Sequence, residues 1–179
     1  MRVYLHLCDV HPHDIYQAHR DVMARYPRVD STDPRHELGI LHCAADGLAM
    51  VQSTTEPDCR STPVNLDLGD EVRFRVVAQP SKRSRRSGRV TALAEPEWGS
   101  WLVHKLALAG MTSEVEVLGS TILRGRKGEH WIEHLGVRFA GHARVTDRGL
   151  ATQAIVSGIG RGKAFGLGML RVEGIHAGL

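Results

Sequence analysis

Hydrophobic positions change period several times along the chain, and each change marks a predicted element. Residues 2–10, RVYLHLCDV, alternate: Val3, Leu5 and Leu7 share one face and Tyr4, His6 and Cys8 the other, which predicts a strand. From 11 to 27 the period becomes helical, with Ile15, Ala18, Val22 and Tyr26 in one stripe. Pro12 suits the first turn, Asp14 suits the positive end of the dipole, and Pro27 ends the run. Residues 37–44 and 48–54 read as two strands joined at Asp46-Gly47. Residues 55–69 are polar and carry two prolines, with no helical pattern. Alternation returns at 70–79, where Val72, Phe74 and Val76 share a face.

A break follows at 81–89, SKRSRRSGR, with Lys82, Arg83, Arg85, Arg86 and Arg89 and no acidic or apolar side chain. Such a stretch is a solvated loop or linker rather than core. The pattern then restarts: a short strand at 89–94, a helix at 96–110 between Pro96 and Gly110, and two strands at 113–125 and 130–146 around RKGE. A helix at 147–158 follows, capped by Asp147, then a glycine-rich loop and a last strand at 169–173. The second half spells β-α-β-β-α-β, and the first half the same with its second helix missing. The expected fold is therefore α+β, two tandem ferredoxin-like (RRM-like) units: residues 1–80, a basic linker at 81–89, and residues 90–179.

Composition narrows the class. The chain has 179 residues, 42% of them hydrophobic, enough to bury a core, and a formal net charge of +3. Three cysteines without C-x-x-C spacing, and no apolar leader, argue for a reducing cytoplasmic setting. No apolar run approaches the ~20 residues of a membrane span.

The glycine loop, SGIGRGKAFGLGML at 157–170, contains Gly158, Gly160, Gly162, Gly166 and Gly168 with Arg161 and Lys163 among them. Nucleotide-binding loops place glycines after a strand and before a helix; here the order is helix, glycines, strand. The loop can still offer backbone amides and two cations to a polyphosphate such as RNA. The competing reading is a helix C-cap and a tight turn with solvated cations. On the first helix Tyr16 and His19 stand three residues apart and are neighbours. An imidazole is the natural proton carrier near neutrality and a phenol can assist it; yet His19 falls inside the apolar arc, and periodicity alone favours a partly buried core histidine. The pairs His11/His13 and His130/His134 lack the spacing and partners of a metal centre, so no metal or cofactor is expected.

Four segments in order, DIYQAHRDVMARYP, VRFRVVAQPSKRSR, RVTALAEPEWGSWLVHKLALAG and GVRFAGHARVTDRGLATQAIVSGIGRGKAFGLGML, resemble the CasE-type CRISPR RNA endoribonucleases, the RNA-processing subunits of the type I-E Cascade complex within the RAMP superfamily. The resemblance implies metal-independent cleavage of a CRISPR repeat at the base of its stem-loop by attack of a ribose 2′-OH. It implies a retained RNA product and assembly with other Cascade subunits. Tyr16 and His19 match the family's catalytic pair. Gly158, Gly160, Arg161, Gly162 and Lys163 match its RNA-facing loop, and 82–89 the segment that grips the stem. The sequence departs from the family at 55–69, which is short, and at Ala164, where a small hydroxyl residue is common.

Overall fold

In the computed structural model, described over residues 1–176, the chain forms two four-stranded antiparallel sheets, four α-helices and a two-stranded ribbon. The first sheet contains β1 (Arg2–Asp9), β2 (Leu41–Ala45), β3 (Leu48–Ser53) and β4 (Thr62–Asn65), in the order β2-β3-β1-β4. Helix α1 (Ile15–Met23) packs on one face through Ala18 and Val22, making a small core with Cys8, Ile40, Ala49 and Val51. A four-residue helix, α2 (Pro34–Glu37), precedes β2.

The second sheet contains β5 (Glu71–Ala78), β8 (Met111–Lys127), β9 (His130–Val145) and β10 (Arg171–Val172), in the order β10-β5-β9-β8. Helices α3 (Trp98–Leu108) and α4 (Arg148–Ser157) cover its inner face. Phe74, Val76, Trp101, Leu102, Leu106, Phe139 and Ile155 are buried there, each contributing about 1.5–3 kcal/mol of transfer free energy. Val3 and Leu5 of the first sheet belong to this same cluster, so the larger core spans both halves. Both sheets have the ferredoxin-like strand order, as expected.

Three expectations change. Strand 71–78 does not close the first sheet but is the first strand of the second, paired with β9 from Glu71↔Arg144 to Ala78↔Val137. The first sheet is closed instead by β4, inside the stretch that lacks a readable pattern. Pro63 there occupies an edge strand, where a missing N–H costs no ladder bond. Consequently the basic stretch is not a linker between units. It is an insertion within the second unit: β6 (Ser81–Arg83) pairs with β7 (Val90–Ala92), and Val90–Ala92 does not enter a main sheet. Alternation identifies a strand but not its partner. Lastly, α1 is shorter than 11–27, because Asp14 acts as its N-cap, accepting from the amides of Tyr16 and Gln17.

Candidate functional site

Helix α1 carries Tyr16 and His19 on a half-buried face that meets the glycine-rich loop. The loop leaves α4 at Gly158 and forms a short 3₁₀ turn at Lys163–Phe165. That turn packs against α1 and β2, and the Phe165 ring lies 6.4 Å from the Tyr16 ring, centroid to centroid. On its other flank Phe165 stacks on His134 of β9 at 4.6 Å. The Arg20 guanidinium sits 5.5 Å from the Tyr16 ring centre. Helix, loop and hairpin, remote in sequence, thus converge on one surface.

His19 is held below the ordinary histidine range, first by burial and then by the positive charge of Arg35. It is a neutral imidazole at pH 7. Lys163 is likewise lowered by burial and by Arg35, so the same guanidinium acts on both groups. Behind His19 stands His42, 2% exposed, pushed down to about 3 by burial and by the neighbouring His19 and Arg35. Arg35, His42 and Phe165 were not singled out from the sequence, and His134 was weighed there only as a metal ligand. His42 left a trace, since the alternation of LHCAA puts it on the face opposite Leu41 and Cys43.

The loop's glycines have a conformational reason. Gly158 has φ 73° and Gly168 φ 83°, in the region that side chains rarely adopt. A Cβ on Gly158 would lie 2.8 Å from the Gly168 carbonyl oxygen, and one on Gly168 would fall on the Ile159 carbonyl. Several amides expected to be free for an anion are spent internally: Ile159 donates to Gly168 O (2.7 Å), Gly168 to Val77 O (2.6 Å) and Phe165 to Gly162 O (2.8 Å). Between those positions Arg161 and Lys163 add side-chain charge to the loop.

The cations at 82–89 lie apart from His19. Lys82 pairs with Glu97 at 3.6 Å, both largely exposed. Arg83, Arg85, Arg86 and Arg89 are exposed on the ribbon. Its base adjoins the loop: Arg83, Trp101, Lys105, Gly160 and Arg161 border a cleft of about 140 Å³. Among the described residues no three His, Cys, Asp or Glu side chains come together as a metal-ligand set. No helix there is long and apolar enough to cross a membrane.

Asp14 does more than cap α1. Its carboxylate also accepts from the Arg126 amide at the tip of the β8–β9 hairpin, 3.3 Å from each oxygen. The hairpin approaches so closely that a Cβ on Gly125 would lie 2.8 Å from Ile15 Cγ1 and 2.9 Å from the Tyr16 nitrogen. Burial pushes the Asp14 carboxyl up, but the amides of Gln17, Arg126 and Tyr16 outweigh it and hold the group below its usual value. Its contribution is thus complete above the unfolded value near 3.9 and is lost as pH falls through the lowered one. Asp14→Ala is expected to cost about 1–2 kcal/mol, lowering Tm by roughly 2–8 °C in a thermal melt at pH 7. The loss should shrink when the melts are repeated at progressively more acidic pH.

Residues 8–173 match the family described as CRISPR associated protein. The chain is 32% identical over 152 residues to the CRISPR-associated endoribonuclease Cse3 of Thermus thermophilus, covering 70% of this chain and 72% of that protein. A structure of the CRISPR endoribonuclease Cse3 bound to a 19-nucleotide RNA superposes with a TM-score of 0.79 at 26% identity, over 96% of this chain and 98% of the other. Thermus thermophilus Cse3 bound to an RNA representing a pre-cleavage complex gives 0.76 at 26% identity, over 96% and 99%.

Proposed function

From its membership of the CasE-type CRISPR RNA endoribonucleases, we propose that this chain cuts CRISPR repeat RNA at the base of its stem-loop, without a metal, through Tyr16, His19 and Lys163. The observation that carries the reading is the packing of the 3₁₀ turn bearing Lys163 onto the helix bearing Tyr16 and His19. Neutral His19 takes the proton of the ribose 2′-OH. The O2′–P bond forms and the P–O5′ bond breaks, giving a 2′,3′-cyclic phosphate. The departing O5′ takes a proton from the Tyr16 phenol, a neighbour of His19 on the same helix. Lys163 counters the charge that grows on the phosphate oxygens. Arg161 and the ribbon cations Lys82, Arg83, Arg85, Arg86 and Arg89 hold the stem by its backbone, the way A-form RNA is gripped. The product stays bound and enters the Cascade complex with the other subunits, in the cytoplasm.

The test is an incubation of purified protein with hairpin repeat RNA, with and without EDTA, followed by mass analysis of the ends. Cyclic-phosphate and 5′-OH ends in equal yield with chelator are expected. Loss of cutting on chelation, or 5′-phosphate ends, would overturn the mechanism. An uncut repeat bound tightly under every condition would make the chain a binding subunit. A pH profile refines the roles. Because His19 is lowered, its neutral form dominates at pH 7, so the single-turnover rate should stay level through neutrality. It should fall only below about pH 6.5, the ordinary histidine value. Arg35→Gln removes a charge that disfavours the imidazolium and should move that fall to higher pH.

A further inference from the structure

The open face of the second sheet, opposite α3 and α4, carries arginines that the cleavage reading does not use. In β5, Phe74, Val76 and Ala78 point into the core, so Arg75 and Val77 face outward. Cross-strand partners share a face: Arg171 of β10 stands directly opposite Arg75, and Arg138 of β9 directly opposite Val77. Arg138 is four residues along β9 from His134, on the same side, about 13 Å from it at strand spacing. Between His134 and Arg138 the loop's Leu167 covers Gly136, and beyond it the face opens onto Arg138, Arg75 and Arg171.

Two like charges directly opposite each other on antiparallel strands destabilise a sheet. Among the described residues neither Arg75, Arg138 nor Arg171 has a carboxylate within 4.0 Å, although Glu173 borders the neighbouring cleft and Glu114 and Glu116 stand on the same face at the far edge strand. The backbone also makes room for one of them. The β8 ladder is irregular between Val117 and Gly119, and the Arg138 guanidinium lies across Gly119, where a Cβ would be 3.2 Å from its Nη2. The same irregularity turns Leu118 outward, 45% exposed. Arg75, Arg138, Arg171, Val77 and Leu118 together border a cleft of about 230 Å³.

We propose that Arg138, Arg75 and Arg171 form a phosphate track for unpaired RNA, leading away from the cleavage site along the open face of the second sheet. The identity of the ligand rests on the cleavage reading above. Three guanidiniums without carboxylate partners call for a chain of anions, and the exposed Leu118 and half-buried Val77 between them suit the faces of unstacked bases. A paired stem hides those faces, and its rigid width does not enter a cleft of this size. The track therefore serves the single strand flanking the hairpin and leaves the stem to the ribbon and loop.

The experiment measures the affinity of the intact chain for the hairpin that it cleaves, made uncleavable by a 2′-deoxy nucleotide at the scissile position. The hairpin is tested blunt and with about eight unpaired nucleotides added on either side, a length that one such surface covers. One extension should tighten binding to the wild type. The triple substitution Arg75→Ala, Arg138→Ala, Arg171→Ala should abolish that gain, about tenfold in Kd, and flatten the log K against log salt slope by about 2. Affinity for the blunt hairpin and its cleavage should not change. Tm should hold or rise, because like-charge repulsion is relieved. Equal affinity of wild type for blunt and extended hairpins overturns the track, as does equal weakening of both by the variant. Competition by poly-glutamate as effective as by an unpaired octanucleotide would also overturn it, assigning the face to an acidic protein. If the wild type cuts no hairpin yet binds the unpaired octanucleotide through these arginines, the nuclease reading falls and the track stands.

Discussion

His19→Ala is expected to slow single-turnover cleavage of hairpin repeat RNA by about 10²–10⁴ while leaving RNA affinity nearly unchanged. The magnitude follows from losing one positioned proton carrier, with the loop and ribbon cations still in place to bind the backbone. The imidazole is only half-buried, so its removal should also leave Tm within a few degrees. That combination separates the two readings that the helical wheel allowed. A core histidine would show in the melt and spare the chemistry, whereas a proton carrier does the reverse. Full cleavage by His19→Ala would remove the catalytic assignment of this helix. Tyr16→Phe is the companion measurement: it keeps the ring against Phe165 and Arg20 and deletes only the hydroxyl, so any loss of rate reports the phenol proton.

Gly168→Ala is expected to produce a different signature, a large loss of stability that takes cleavage down with it although no group proposed to act on the RNA is replaced. An alanine at φ 83° costs about 1–2 kcal/mol from backbone sterics alone. Its methyl would also collide with the Ile159 carbonyl, which accepts no compromise because the Ile159 amide is bonded to Gly168 O at 2.7 Å and the Gly168 amide to Val77 O at 2.6 Å. Breaking those two bonds adds about 1 kcal/mol each. A loss of about 3–4 kcal/mol predicts a Tm lower by roughly 6–16 °C. The loop would detach from β5 and carry Lys163 away from α1, so cleavage should fall along with stability. A variant with wild-type Tm would show that the loop tolerates a second arrangement and that these hydrogen bonds do not hold it.

These two variants bear on what the glycines are for. Their number invited a phosphate-binding reading; the torsions and the bonds of the Ile159, Phe165 and Gly168 amides add a structural reason for the glycines beside it. A sequence shows that glycines are present but not the torsions they adopt, and those torsions depend on the strand the loop returns to.

Legibility differed in the same way elsewhere. The periods of WGSWLVHKLAL and the long hairpin announced their elements, because each half-buried strand or helix must present one apolar face; RVYLHLCDV alternates as well, yet both its faces are buried, Val3 and Leu5 on one and Cys8 and Val10 on the other, while Leu7 is exposed. Tyr16 and His19 were recoverable as a pair from helical spacing. Residues 62–65 were not readable as a strand, since a four-residue edge segment with a proline carries too little alternation. The arginines of the open sheet face were invisible as a group: Arg75, Arg138 and Arg171 sit on three strands spread over nearly a hundred residues, and only the register brings them side by side.

The sequence by itself determined most of the elements, the ferredoxin-like class, the family and the helix that bears the candidate catalytic pair. All of these depend on local period or on motifs within a few residues. Tertiary structure alone decided that β5 joins the second sheet, that the basic stretch is a ribbon inside that unit, and that Asp14 ties α1 to the hairpin tip. It alone placed Lys163 against the helix of His19, with Arg35 acting on both. The reason is common to all four: strand partners and side-chain neighbours are chosen by burial and charge summed over distant segments, and no local pattern carries that sum.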